Sequence, residues 1–406
     1  MSEAPQNRLE QSPQFPVLDT LRAVGALAVL TTHCAFQSGD YFGHGVWGTL
    51  MARLDIGVAI FFVLSGFLLS RPYLARAVAR REHPATAPYY WKRFIRIYPV
   101  YVVTVVIALT FLPENDGLGV RDWIRTLLLA DVYTSHQLNH GLTQMWSLSV
   151  EASFYVVLPL LMLAALGRRQ GLRPARVIGL LVAVTALSCW WHLSLAAAIG
   201  EASPGAPLLW LPAFLTWFAV GIALALGHVL HQTTRSPGVV LRLLTTLGSM
   251  PGACWALAFG LLLVAATPVG GPTQLIAATA GESTAKHLLY AVIGGLIVLT
   301  GLFTTPESRY RRVMSLRPLR HVGHISYSIF CIHLPILSFV MALTGSELFA
   351  ANGLQVWALT LALSLPAAEL LYRLVEKPGM RLRTLGSRKP VPADQPSAAP
   401  QATTTR

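Results

Sequence analysis

A chain of 406 residues is long enough for two or three soluble domains, but 54% apolar and only 12% charged residues point elsewhere. A mean hydropathy of +0.54 excludes disorder, a collagen-like repeat and soluble nucleic-acid binding. The net charge of +13 is that of a polytopic membrane protein, whose basic residues flank its spans on the cytoplasmic side and meet anionic lipid.

Residues 1–16 are polar and Pro-containing, so a disordered cytoplasmic N-terminus without a signal peptide is expected. Apolar runs of about 20 residues then recur ten times. They fall near 17–37, 54–71, 98–113, 146–166, 175–199, 207–228, 250–268, 285–304, 322–343 and 351–374. Counting Lys and Arg between them on alternate sides gives 26 against four, with Arg22 inside the first run. That asymmetry predicts an all-α fold of ten transmembrane helices with both termini in the cytoplasm. The membrane domain is expected over 17–377 and a disordered cytoplasmic tail over 378–406.

Charged groups inside hydrocarbon cost several kcal/mol unless they are paired or face water, so each is a functional candidate. The first span carries Asp19, Arg22 and His33. Arg22 and His33 are eleven residues apart, within about 20° of one helical face and separated by about 16 Å along the axis. The bland alternative has Arg22 snorkelling to lipid phosphate and His33 satisfying a neighbouring helix. Asp55 opens the second span as a candidate N-cap, and Arg71 closes it. In the basic loop Tyr89–Pro99, Arg93 and Arg96 share a face at i, i+3, and Pro99 is expected to restart the helix. These cations suit a phosphorylated ligand; topology and lipid contact are the alternative. Residues 305–321, with Arg309, Arg311, Arg312, Arg317 and Arg320, are assigned to topology and lipid contact alone.

The fourth span opens Trp146-Ser147-Leu148-Ser149-Val150-Glu151. It places Glu151 at a depth comparable to His33, where a carboxylate can orient an imidazole for general-base work; a helix-dipole contact is the alternative. The ninth span holds Ser326, Tyr327 and, near mid-membrane, His333, whose bland reading is a core histidine bonded to a carbonyl. Glu369 in the tenth is an unexplained buried carboxylate. Cys34, Cys189, Cys254 and Cys331 lie in apolar segments without ligand spacing and are expected to be reduced packing residues; no metal site is expected.

In order along the chain, six motifs resemble the transmembrane acyltransferase-3 family, bacterial enzymes that O-acylate surface glycans, peptidoglycan, lipids and some macrolides. They are Leu18-Asp19-Thr20-Leu21-Arg22 with His33, and Asp55-Ile56-Gly57-Val58 followed by Phe61–Phe67. Next come Arg93-Phe94-Ile95-Arg96-Ile97-Tyr98-Pro99, Trp146–Glu151, Ser326-Tyr327 with His333, and Tyr372–Pro378. Phe330 departs from the pattern, standing where the family often has Tyr. The resemblance implies no bound cofactor and a cytoplasmic acyl-CoA donor, usually acetyl-CoA. Arg22, Arg71, Arg93 and Arg96 would hold its phosphates. The pantetheine arm would rise toward His33, which Glu151 orients as general base; an acyl-His intermediate is the competing chemistry. It also implies a multi-pass protein of the bacterial cytoplasmic membrane. Many family members carry a fused hydrolase-like domain; this chain is expected to lack it. It would therefore act directly on a hydroxylated glycan, lipid or natural product, or through a separate extracytoplasmic delivery partner.

Two other classes fit the buried charges. A transporter would use Arg, His and Glu as a substrate or proton path, but 17–199 and 207–374 show no convincing repeat. A scaffold would tolerate alanine at those charges.

Overall fold

The computed structural model describes residues 15–168, 171–273 and 275–382. Among these the chain is helical, with no strand. In chain order the principal helices are α1 (Pro16–Ser38), α2 (Ile56–Val78), α3 (Thr86–Phe111), the short α4 (Val120–Leu127), α5 (Met145–Leu166) and α6 (Pro174–Trp190). They continue as α7 (Leu211–Thr233), α8 (Val239–Gly248), α9 (Pro251–Ala265), α10 (Ala280–Phe303), the short α11 (Arg317–His324), α12 (Ser326–Leu343) and α13 (Gly353–Leu371). Prolines in the first turns of α1, α6, α7 and α9 sit where a missing N–H costs nothing. Thr279 and Glu282 close a capping box at the start of α10.

Among the described residues nine helical segments are long and apolar enough to cross a membrane; a tenth follows if α8 and α9, bent by 92°, form one span. The expected boundaries shift in three places. α3 begins at Thr86 and runs straight through Pro99, which lies inside the helix and does not restart it. Lys92, Arg93 and Arg96 hide this first half from an apolar window, and a proline removes only one helical bond, which a packed helix tolerates. The seventh run yields only the 15 residues of α9. The ninth begins at Ser326 because the chain breaks at Ile325 after α11. Beyond α13 a π-helical turn, Tyr372–Glu376, leads into helical Lys377–Arg381, so the first residues of the expected tail are ordered. The rest of that tail, and the expected N-terminal segment before residue 15, lie outside the described residues.

Without a hydrophobic drive between helices in lipid, small residues let backbones meet. α2 and α7 touch through Gly66 and Gly221, where an added Cβ would overlap the Phe218 and Val63 carbonyls respectively. α1 meets α2 in the same way at Gly25 and Gly57. Polarity is inverted relative to a soluble protein. Val156, Leu160, Val182, Phe259 and Phe339 are exposed, while Ser65, Arg71, Ser147, Ser326, Ser328, His333 and Glu376 are buried.

Candidate active site

Helices α1, α2, α3, α5 and α12 enclose two adjoining cavities. The smaller, about 60 Å³, is lined by Arg22 of α1, Ser65 of α2, Arg96 of α3, Glu151 and Tyr155 of α5, and Ser326 and Tyr327 of α12, with an apolar wall including Phe61, Phe62 and Leu148. The larger, about 510 Å³, holds His33, Asp55, Gln144, Trp146 and Lys286, together with Tyr41 and Arg53. Val58, Ser147 and Phe330 line both, so the two cavities meet there. The eleven-residue interval in α1 thus places Arg22 in one chamber and His33 in the other.

His33 Nδ1 lies 2.9 Å from His333 Nε2, with the two rings stacked at 5.1 Å. The protons can be assigned from His333. Its Nδ1 faces the carbonyls of Phe330 at 2.8 Å and Ile329 at 3.1 Å, both pure acceptors, so Nδ1 carries the hydrogen. Neutral His333 therefore presents Nε2 as an acceptor, and His33 donates to it from Nδ1. The lone pair of His33 is left on Nε2, the arrangement a general base requires. His333 is bonded to carbonyls as its bland reading held, and it is also the residue that orients His33.

Glu151 does not take that role. Its carboxylate accepts hydrogen bonds from Ser65 Oγ and, at 2.7 Å, from the Tyr155 hydroxyl. It lines the Arg22 chamber, within electrostatic reach of that guanidinium. The expected start of this span holds to within a residue, since α5 begins at Met145, but the five residues from Trp146 to Glu151 carry the carboxylate out of the His33 chamber. Trp146 and Ser147 reach the His33 chamber, and Glu151 lies about 7.5 Å further along the axis.

Among the described residues no hydrogen bond or ion pair engages the Arg22 guanidinium. Arg93 sits over the Tyr155 ring at 5.8 Å, with a buried Nε that has no partner. The other two expected cations are placed differently. Arg96 is ion-paired with Glu376, which also accepts from Ser328 Oγ at 2.7 Å. Arg71 is buried beside α7, with Nε 3.4 Å from His228 Nδ1 and an Nη 3.3 Å from Gln232 Oε1, and stacks at 5.9 Å on Phe15. It lines neither chamber.

The remaining motif positions have their own partners. Asp19 pairs with Arg320 at 3.2 Å and His324 at 3.4 Å, so Arg320, assigned above to topology, ties α11 to α1. Asp55 makes no capping bond; it binds Lys286 Nζ at 2.6 Å and the Tyr290 hydroxyl. Trp146 stacks on Phe214 at 4.9 Å. Ser326 is buried in the Arg22 chamber, and the Tyr327 hydroxyl donates to the Ile97 carbonyl at 2.7 Å. Glu369 is explained by His321 at 2.7 Å and Arg373. Burial pushes the Tyr41 phenol above its ordinary value, so it stays protonated where it meets Thr32. Among the described residues no group of three His, Cys, Asp or Glu is placed to hold a metal ion.

Glu376 was quoted within a motif but given no role; no spacing links it to Arg96, 280 residues away. Glu376→Ala leaves a partly buried guanidinium and the Ser328 hydroxyl without their acceptor. It should lower stability by about 2–4 kcal/mol, checked by tryptophan-fluorescence unfolding in detergent, with Glu376→Gln losing less.

A sequence model described as an acyltransferase domain matches residues 15–373. The chain is 29% identical to acyltransferase MdmB of Streptomyces mycarofaciens, over 93% of this chain and 94% of that protein. It is 26% identical to the peptidoglycan O-acetyltransferase OatA of Listeria monocytogenes, over 89% of this chain and 55% of that protein. For the O-acetyltransferase OatA of Staphylococcus aureus NCTC 8325 the identity is 24%, over 91% and 58%. The chain thus spans little more than half the length of the OatA relatives. No solved structure matches.

Proposed function

The chain belongs to the transmembrane acyltransferase-3 family, and we propose that it transfers an acyl group, acetyl in the simplest case, from acyl-CoA to a hydroxyl. The acceptor is a glycan, glycolipid or hydroxylated natural product, and the enzyme resides in the bacterial cytoplasmic membrane with both termini in the cytoplasm. The observation that carries this reading is the meeting of two chambers at Val58, Ser147 and Phe330. One holds a guanidinium without a hydrogen-bond partner among the described residues, the other an imidazole with a free lone pair.

The donor enters from the Arg22 side. Arg22 and Arg93 have donors to spare and hold its phosphates; Arg71 adds positive potential, and Arg96, committed to Glu376, shapes the wall. The thioester comes to rest where the chambers meet. The acceptor hydroxyl enters from the His33 side and gives its proton to Nε2 as its oxygen attacks the thioester carbonyl carbon. The C–S bond then breaks, and CoA leaves as a thiolate that takes the proton from His33 to become the free thiol. His33 ends as it began, and the acyl group has moved from sulfur to oxygen.

The test is CoA release from acetyl-CoA by the full chain in nanodiscs. Release above empty nanodiscs, accelerated by added hydroxyl compounds, is expected. If acetyl-CoA is neither bound nor consumed, the acyl-transfer reading fails and the buried charges return to a transport path.

A further inference from the structure

The smaller chamber leaves most of a donor nucleotide unhoused. At about 60 Å³ it has room for roughly four to six water molecules. An acyl-CoA carries phosphate in two places, a diphosphate where the pantetheine arm begins and a monoester on the ribose 3′ oxygen. On the reading above, Arg22 and Arg93 hold the first. The adenosine and its 3′-phosphate then lie outside the chamber, on the side of Arg22 away from His33.

A cavity of about 450 Å³ lies on that side, lined by Arg317, Pro318, Arg320, His321 and His324. The four basic residues fall at i, i+3, i+4 and i+7 of α11 and form one stripe. Three links join the stripe to the chamber. His324 is two residues, at most about 7 Å, from Ser326, which lines the chamber. Arg320 and His324 both reach Asp19. Asp19 lies within electrostatic reach of Arg22, one turn before it on α1, whereas His33 lies three turns after it.

The stripe suits an anion. Asp19 and Glu369, the carboxylates that pair with Arg320, His324 and His321, do not line the cavity. Arg320 gives Nε and one Nη to Asp19 and keeps the other Nη. Arg317, assigned above to topology, is exposed and makes no hydrogen bond or ion pair among the described residues, so its five donors are free. Lipid headgroups are the other source of phosphate. Leu319, however, lies about 150° round α11 from the centre of the stripe, so a helix that turns Leu319 to the bilayer turns the stripe to water. Resting on the acyl-transfer reading, we infer that Arg317 and Arg320 form a phosphate-monoester site for the 3′-phosphate of the acyl-CoA donor. The enzyme then selects a CoA thioester over one whose carrier lacks that phosphate.

The experiment is calorimetry on the full chain in phosphatidylcholine nanodiscs, comparing acetyl-CoA with acetyl-3′-dephospho-CoA, which differ only in that phosphate. Wild type should bind acetyl-CoA roughly tenfold more tightly, the worth of one charge-assisted hydrogen bond. Arg317→Gln should bring the ratio of the two Kd values to within about threefold of one. Each Kd is independent of how much of a preparation is folded, and the wild-type comparison needs no variant. A wild-type ratio near one overturns the inference, as does an unchanged ratio in Arg317→Gln. If the ratio is near one while added phosphatidylglycerol raises the Tm of wild type but not of Arg317→Gln, the site belongs to lipid headgroups and the inference falls. If neither thioester binds and acetyl-CoA is not consumed, the acyl-transfer reading on which it rests is what fails.

Discussion

Replacing His33 by Gln should lower acyl transfer about 10³-fold in kcat while leaving acetyl-CoA binding unchanged, because the lost group is the proton acceptor and not part of the donor site. The size of the effect follows from the His33–His333 pair. His333 spends its Nδ1 hydrogen on the Phe330 and Ile329 carbonyls and so requires His33 to donate from Nδ1. His33 alone carries the free lone pair, and His333 acts only by holding it in that tautomer. His333→Ala should therefore also reduce kcat, by less, and the double variant should be no slower than His33→Gln, as expected of residues that act as a unit. The measurement is single-turnover ester formation beside acetyl-CoA calorimetry on the same preparations. A His33→Gln enzyme with ordinary turnover would remove the general-base assignment.

Arg22→Ala should instead weaken acetyl-CoA binding roughly thirtyfold, about 2 kcal/mol, with Arg22→Lys recovering part of the loss. The guanidinium lines the smaller chamber without a hydrogen-bond partner among the described residues, whereas Arg96 beside it is ion-paired with Glu376. The two arginines are thus predicted to separate experimentally. Losing Arg22 costs donor affinity in a protein that still folds, and disrupting the Arg96–Glu376 pair costs folded protein. Isothermal titration of acetyl-CoA against the Arg22 variants decides the matter. An unchanged Kd would return Arg22 to a lipid-facing role.

The span pattern was open to reading because hydrocarbon permits few structures other than helices, and a helix that crosses needs a long apolar run. Relations within one helix were equally legible: Arg22 and His33 lie on a common stripe because 3.6 residues per turn fixes it. Relations between helices were not. Whether Glu151 reaches His33 or Arg22 depends on how α5 is set against α1 along their axes, and a few residues at 1.5 Å each decide it. Arg96 and Glu376 are brought together by the packing of the π-helical turn Tyr372–Glu376 on α3, and His333 is brought to His33 by that of α12 on α1. Neither leaves a trace in local pattern. The charged first half of α3 was mistaken for a loop for a related reason: two of the cations that made it look extramembranous, Arg93 and Arg96, lie over Tyr155 and pair with Glu376.

The junction lined by Val58, Ser147 and Phe330 has a consequence for the cell that is separate from catalysis. A continuous polar passage from Arg22 past Glu151 to His33 and Asp55 would conduct protons, and each charge lost down a potential of 100 mV forfeits about 2.3 kcal/mol of stored work. Where the two chambers meet, the shared lining is two apolar side chains and one hydroxyl, with no titratable group. An acyl group leaving a thioester for an alcohol carries no net charge past them, so group transfer through the protein need not discharge the membrane that holds it.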